Sequence, residues 1–258
     1  MRTITQLLSV MLAFSFASQG NNIEQVTIPL SSPDESGVLV INHHKGSIDV
    51  TGYDGDMVIV MASMPYGTDE SITNVDNICL GAVENNNNVV INAAPTYRTI
   101  DLKIMVPYKF SVRIKKDDSG VITITGLSGE MEVSNLNDDI ILTDISGSAV
   151  LDTIDGGITA QLTDVRPGVP MAFSTIEGNV DVVLPGNLNA TIKAKADYGT
   201  VWNDFLSGAA AEQQQSTETP DSGVDYEHWD YMKINSGGTE IRVRSFMGNI
   251  NVKPMVNE

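Results

Sequence analysis

Three groups of residues in this 258-residue chain have types and spacing that bear on chemistry. The first is aromatic. Tyr226, Trp229 and Tyr231 crowd together at the end of a polar stretch, with Trp202 just before that stretch. Exposed rings of this kind stack on sugars or anchor protein contacts, and the competing role is to pack the stretch onto the body or cap its end. The second group is basic. Arg242 and Arg244 are two residues apart, so on a strand they share one face. Such a pair either binds an anionic glycan or is an ordinary solvated face. The third group is acidic. Asp144, Asp155 and Asp164 recur at predicted turns, with Asp138 and Asp139 nearby. Oxygen ligands at neighbouring corners suit Ca²⁺, and the competing role is to cap backbone groups in the turns. Nonapeptide calcium rolls carry Gly-Gly-x-Gly-x-Asp, but within the regular block Gly-Gly occurs once, at Gly156-Gly157. Ca²⁺ bound at every turn is therefore not expected. Ca²⁺ is the one candidate cofactor, and no resident one is predicted.

Other chemistries lack their residues. His43 and His44 are adjacent and point to opposite faces of a strand, and His228 stands beside Trp229. No zinc-type spacing appears, nor a nucleophile elbow, a phosphate loop or a Cys/His arrangement. Cys79 is the single cysteine, so no internal disulfide forms, and a buried, inert thiol is expected. Basic residues cluster only at Lys115-Lys116 and at Arg242/Arg244. A formal charge of −18 argues against nucleic acid and anionic membrane as partners. It also serves solubility.

The elements that must position these groups are read from a repeat. From Gly120 the chain divides every nine residues into GVITITGLS, GEMEVSNLN, DDIILTDIS, GSAVLDTID and GGITAQLTD. The third and fifth residues of each unit are apolar or small, as in Ile122 and Ile124 or Met131 and Val133. Residues two apart lie on one face of a strand, so each unit supplies a short strand with one buried face. Gly, Asn and Asp at the unit ends suit tight bends. The eighth residue is usually Leu or Ile (Leu127, Leu136, Ile145, Ile154) and is expected to point inward from the turn. No unit buries its apolar face alone, so units must stack.

The step recurs beyond that block. After a four-residue insertion, Val165-Arg166-Pro167-Gly168, it resumes with VPMAFSTIE and GNVDVVLPG. It also appears at residues 37, 46 and 55 and again at 230, 239 and 248. Residues 64–119 alternate irregularly and read as longer strands in hairpins or in a wider part of the sheet. Residues 207–229 are rich in Ala, Gln, Ser, Thr and Pro without periodicity and read as a flexible inserted loop, with at most a short helical stretch at 209–215. At the start, Arg2, the apolar run Leu7–Ala17 and small residues at 15–18 match a secretory signal peptide over residues 1–18. No other stretch is long and apolar enough to span a bilayer as a helix.

The predicted fold is all-β: a single-domain parallel β-solenoid, of β-helix or β-roll type, over residues 19–258. Two units would make an 18-residue rung with two sheets, and three sheets per rung stay open. The chain ends would cap the solenoid or pair with another copy.

The segments GSIDVTGYDGDMVIV, GTVWNDF at 199–205 and the closing GGTEIRVRSFMGNINV, together with the stacked units, resemble the bacterial "putative adhesin" family of β-solenoid proteins. The resemblance spans roughly residues 37–253. It implies an exported or envelope-associated β-helix-like fold and brings no catalytic residues. It also carries an implied link to envelope stress signalling. Three readings of function follow. The leading one is a non-catalytic, exported binding or structural module of the periplasm, surface or exterior, with a glycan or an envelope protein as partner. The second is a carbohydrate-active β-helix enzyme, a lyase or hydrolase, which would need opposed carboxylates or a base near a bound uronate. The third is an envelope-stress regulator that binds a membrane partner.

Overall fold

The computed structural model of the chain describes residues 14–17, 23–65, 78–94, 96–206 and 229–255, with residues 14–17 described as backbone only. Nearly all of it is strand. The N-terminal part holds β1 (Phe14–Ala17), β2 (Ile23–Pro29), β3 (Val38–His43), β4 (Ile48–Tyr53) and β5 (Met57–Ser63). A hairpin of β6 (Cys79–Asn85) and β7 (Asn88–Ala94) follows, then β8 (Asp101–Pro107) and β9 (Ser111–Lys116). The repeat block forms β10 (Ile122–Thr125), β11 (Glu130–Ser134), β12 (Ile140–Asp155) and β13 (Ile158–Val165). Then come β14 (Met171–Glu177), β15 (Val180–Leu184), β16 (Ala190–Ala196), β17 (Val201–Asn203) and a 3₁₀ turn at Asp204–Leu206. The chain closes with β18 (Asp230–Ile234), β19 (Thr239–Met247) and β20 (Ile250–Pro254).

The strands pair in two series. One runs β1-β2-β5-β8-β4-β10-β12-β13-β15-β20-β17. The other runs β6-β7-β3-β9-β11-β12-β14-β19-β16-β18. The long β12 belongs to both, its first residues in one series and Ser148 onward in the other. Buried side chains of both series form one apolar cluster, so the two faces enclose a single core and the sheet is barrel-like.

Register explains the nine-residue step. Ile122 pairs with Ile140 and Ile140 with Ile158, while Met131 pairs with Ala149. Consecutive units therefore alternate between the two series, and each strand lies against the strand two units away. Ile158 pairs with Val180, because the insertion at 165–168 lengthens that interval. The all-β expectation holds, and the core is Val, Ile and Leu with Phe110 and Phe173. The expectation of uniformly parallel strands does not. Interior ladders are parallel, but β1/β2, β2/β5, β5/β8, β6/β7 and β16/β18 are antiparallel. Of these pairs, β1/β2 and β6/β7 join consecutive strands that turn straight back, whereas β5 and β18 keep the nine-residue step and still pair antiparallel, β5 with β2 and β8 and β18 with β16. Within 64–119, β8 and β9 join the parallel ladders, and only β6/β7 forms a hairpin of its own.

The corners differ, and the difference overturns the expectation for the eighth residue. Where the chain passes from the first series to the second, Gly126 and Asp144 take left-handed φ values of 69° and 54°. A register shift sits between Leu142 and Ile145. Such a bulge advances the side-chain alternation by one, so Leu127 and Ile145 point inward and are fully buried. At the return corner the alternation runs on unbroken. Asn135, Thr153, Thr175 and Ser245 point inward, and the next residues, Leu136, Ile154, Ile176 and Phe246, point outward.

The inward polar residues are satisfied by corner carbonyls. Asn135 Nδ2 donates to the Asp138 carbonyl at 2.9 Å, Thr175 Oγ1 to Gly156 at 2.7 Å and Ser245 Oγ to Gly178 at 2.8 Å. Buried carbonyls need such partners. Glycine recurs along this corner because successive turns touch. A Cβ on Gly178 would lie 2.2 Å from the Gly156 carbonyl oxygen, and one on Gly156 would lie 2.2 Å from that of Asp138.

Candidate functional site

The basic and aromatic residues are placed by β16, β18 and β19. In β19, Ile241, Val243 and Ser245 are buried, so Arg242 and Arg244 stand on the outer face, as their spacing predicts. The parallel partner β16 sets Lys193 beside Arg242 and Lys195 beside Arg244. On the far side of β16, antiparallel β18 sets Tyr231 beside Lys193. Trp229 directly precedes β18.

These residues interlock. The Lys193 ammonium lies 5.6 Å from the centroid of the Tyr231 ring, and the Arg242 guanidinium 5.7 Å from that of Trp229. Contacts of this kind contribute about 0.5–1 kcal/mol each at exposed positions. Glu240 bridges Lys193 at 3.0 Å and Arg242 at 3.5 Å. Asp197 bridges Lys195 at 3.1 Å and Arg244 at 3.3 Å. The Lys193 hydrogen bond holds the Glu240 carboxyl below its ordinary range, so Glu240 remains a carboxylate and cannot serve as a general acid at neutral pH.

Lys193 and Arg242 thus share Glu240, and Lys195 and Arg244 share Asp197. Further along the same outer face, Arg113 meets Glu132 at 3.3 Å and Arg166 meets Glu130 at 2.6 Å. Those pairs balance one to one. A chain with net charge −18 and 15 basic residues thus sets Lys193 and Arg242 against two aromatic rings at one end of one face, with Arg244 beside them and Lys195 buried against Asp197. That arrangement can grip an anion while offering ring faces for stacking.

Trp202 does not join this group. It sits on β17 in the other series, opposite Asn251, and is 47% exposed. Tyr226 and the loop 207–228 lie outside the described residues. The three aspartates are not brought together either. Asp144 and Asp164 belong to one corner and Asp155 to the other, because a nine-residue step alternates corners. Among the described residues no three His, Cys, Asp or Glu side chains are grouped to hold a metal ion. Several turn acids cap backbone instead. Asp138 Oδ2 accepts from Gly120 N at 2.7 Å, Asp139 Oδ1 from Gly157 N at 2.7 Å and Asp164 Oδ1 from Val165 N at 2.9 Å. Cys79 is exposed, contrary to expectation, because it opens the outer edge strand β6. His43 and His44 do face apart: His43 is buried and His44 meets Asp117 at 2.7 Å.

Two members of the basic group, Lys193 and Lys195, were not singled out from sequence. Their signal is the alternation of Lys193 and Lys195 with Ile192 and Ala194. It is legible only once β16 is known to lie beside β19.

No protein-family model matches the chain, and no curated protein matches it. The resemblance to the adhesin-like family therefore stands on the motifs quoted above. Among solved structures, a "putative cell adhesion protein" of Clostridium sporogenes is 11% identical, with a TM-score of 0.48, covering 92% of this chain and 100% of its own. A "putative adhesin" of Bacteroides fragilis is 10% identical, with a TM-score of 0.42, covering 92% of this chain and 98% of its own.

Proposed function

We propose that this protein is a non-catalytic, exported binding module built as a β-solenoid, and that it holds an acidic polysaccharide on the outer face formed by β16, β18 and β19. The observation that carries this reading is the pairing of Lys193 with Tyr231 and of Arg242 with Trp229 on one outer strand face of a strongly acidic chain. Cations supply attraction and hydrogen-bond donors for uronate or sulfate groups, and the rings supply stacking for the sugar faces between them. A flat strand face with charges at regular spacing suits an extended polymer with regularly spaced anions.

Export accords with the apolar stretch Leu7–Ala17 and its small flanking residues. Among the described residues no helix is long and apolar enough to cross a membrane. The test is a binding screen of acidic and neutral oligosaccharides against the wild-type chain and an Arg242→Ala/Lys193→Ala variant. Selective binding of acidic members that the variant loses supports the reading. Turnover of any bound glycan would instead favour a β-helix lyase or hydrolase.

A further inference from the structure

The return corner carries an apolar ridge that folding does not require. Leu136, Ile154, Ile176 and Phe246 follow one another on successive strands, each 37–46% exposed. Their alignment is fixed by the pairs around them: Asn137 with Asp155, Thr153 with Thr175, Asp155 with Glu177, and Glu177 with Met247. Tyr198, 75% exposed, continues the line, its ring packed edge-on against Phe246 at 5.1 Å. Met247, 54% exposed, stands beside it. Neighbouring strands are about 4.8 Å apart, so five side chains make a straight ridge roughly 20 Å long. The residue just before each of the first four is polar, buried and bonded within the corner or at the same inward position. The core is thus closed beneath the ridge without help from it.

Scattered exposed aliphatics are ordinary, whereas a contiguous patch on the order of 500 Å² matches the largest apolar patch of a typical monomer, which is often functional. We propose that this ridge is the contact surface of a homodimer, in which a second copy lays its own ridge against it in antiparallel fashion.

Three features point to a second copy. The first is spacing: knobs repeated at the strand interval interdigitate best with a row repeated at the same interval, and another copy supplies that row. The second is symmetry. A two-fold axis through Ile176, the middle of the five, lays the ridge antiparallel on its own copy and sets Leu136 of each copy against Tyr198 of the other. The third is area. Two ridges with their flanking rows bury roughly 1,200 Å² in total, the lower bound of a specific interface.

The test is sedimentation equilibrium of the full chain and of an Ile154→Glu/Ile176→Glu variant. Both positions are solvent-facing, so the variant keeps the wild-type circular dichroism and melting temperature. The wild type sediments as a dimer at micromolar concentration, and the variant dissociates at least tenfold more readily. A wild type that remains monomeric into the hundreds of micromolar overturns the proposal. So does a variant that dimerises as tightly as the wild type. Orientation is read by disulfide trapping in a Cys79→Ser background. Ile176→Cys, at the centre of the ridge, cross-links to itself, whereas Leu136→Cys cross-links only to Tyr198→Cys in a mixture. Self-cross-linking of Leu136→Cys at the same rate as Ile176→Cys contradicts the antiparallel arrangement.

Discussion

Thr175 Oγ1 donates a 2.7 Å hydrogen bond to the Gly156 carbonyl one turn away, and so satisfies a corner carbonyl that is closed off from solvent. Thr175→Val keeps the shape and removes the donor. The loss should lower stability by about 1–2 kcal/mol, measured by urea unfolding. Ser245→Ala, which frees the Gly178 carbonyl, should cost a similar amount.

The glycines of the same corner set a steeper limit. Gly178 has φ 146° and approaches the Gly156 carbonyl too closely for a side chain. Gly178→Ala should destabilise by about 2–4 kcal/mol. Asp138 takes the equivalent place two rungs earlier at φ 73° and recovers part of that strain by accepting the Gly120 N–H. Asp138→Gly should therefore change stability by less than about 1 kcal/mol, since it relieves the backbone while losing one exposed hydrogen bond. Thermal melts of the two variants separate the cases.

At the N-terminal end of the same inward row, His43 and Lys116 are cross-strand partners, and both are buried. Burial lowers both pKa values, that of Lys116 to about 8. Asp138, Asp118 and Asp117 partly oppose the shift at Lys116, whose ammonium donates to the Asp118 carbonyl. In both residues the unfolded state binds its proton more readily. Stability therefore rises with pH between about 8 and 10.5 as the unfolded lysine deprotonates. It falls as pH drops below 6.5, where the unfolded histidine takes up a proton. Urea midpoints should show an alkaline gain of about 1–3 kcal/mol, absent in Lys116→Met. The loss below pH 6.5 should be absent in His43→Gln.

Much of the fold is legible in the sequence because the nine-residue step encodes register directly. Ile122, Ile140 and Ile158 stack because they occupy the same place in alternate units. What the step conceals is phase at the corners. Leu127 and Leu136 hold the same unit position, yet one is buried and the other exposed, because Gly126 bulges and Asn135 does not. The sequence does carry the distinction: alternate units place His43, Asn135, Thr153, Thr175 and Ser245 at position seven. Small polar residues there mark the corner at which alternation continues. The pair Arg242/Arg244 was legible as an outward face, but its neighbours Lys193 and Lys195 arrive through pairing across about 50 residues, which no local pattern encodes.

The central claim rests on the cationic face, and calorimetric titration with a defined oligogalacturonate, at low and high salt, tests it most directly. The wild type should bind the acidic oligomer and not its neutral galactose counterpart, with affinity falling as salt rises. Arg242→Ala/Lys193→Ala should weaken binding at least tenfold while lowering the melting temperature by only a few degrees, as loss of about 1–2 kcal/mol of ring contacts requires. Equal binding of acidic and neutral oligomers, or full affinity in the double variant, would contradict the account.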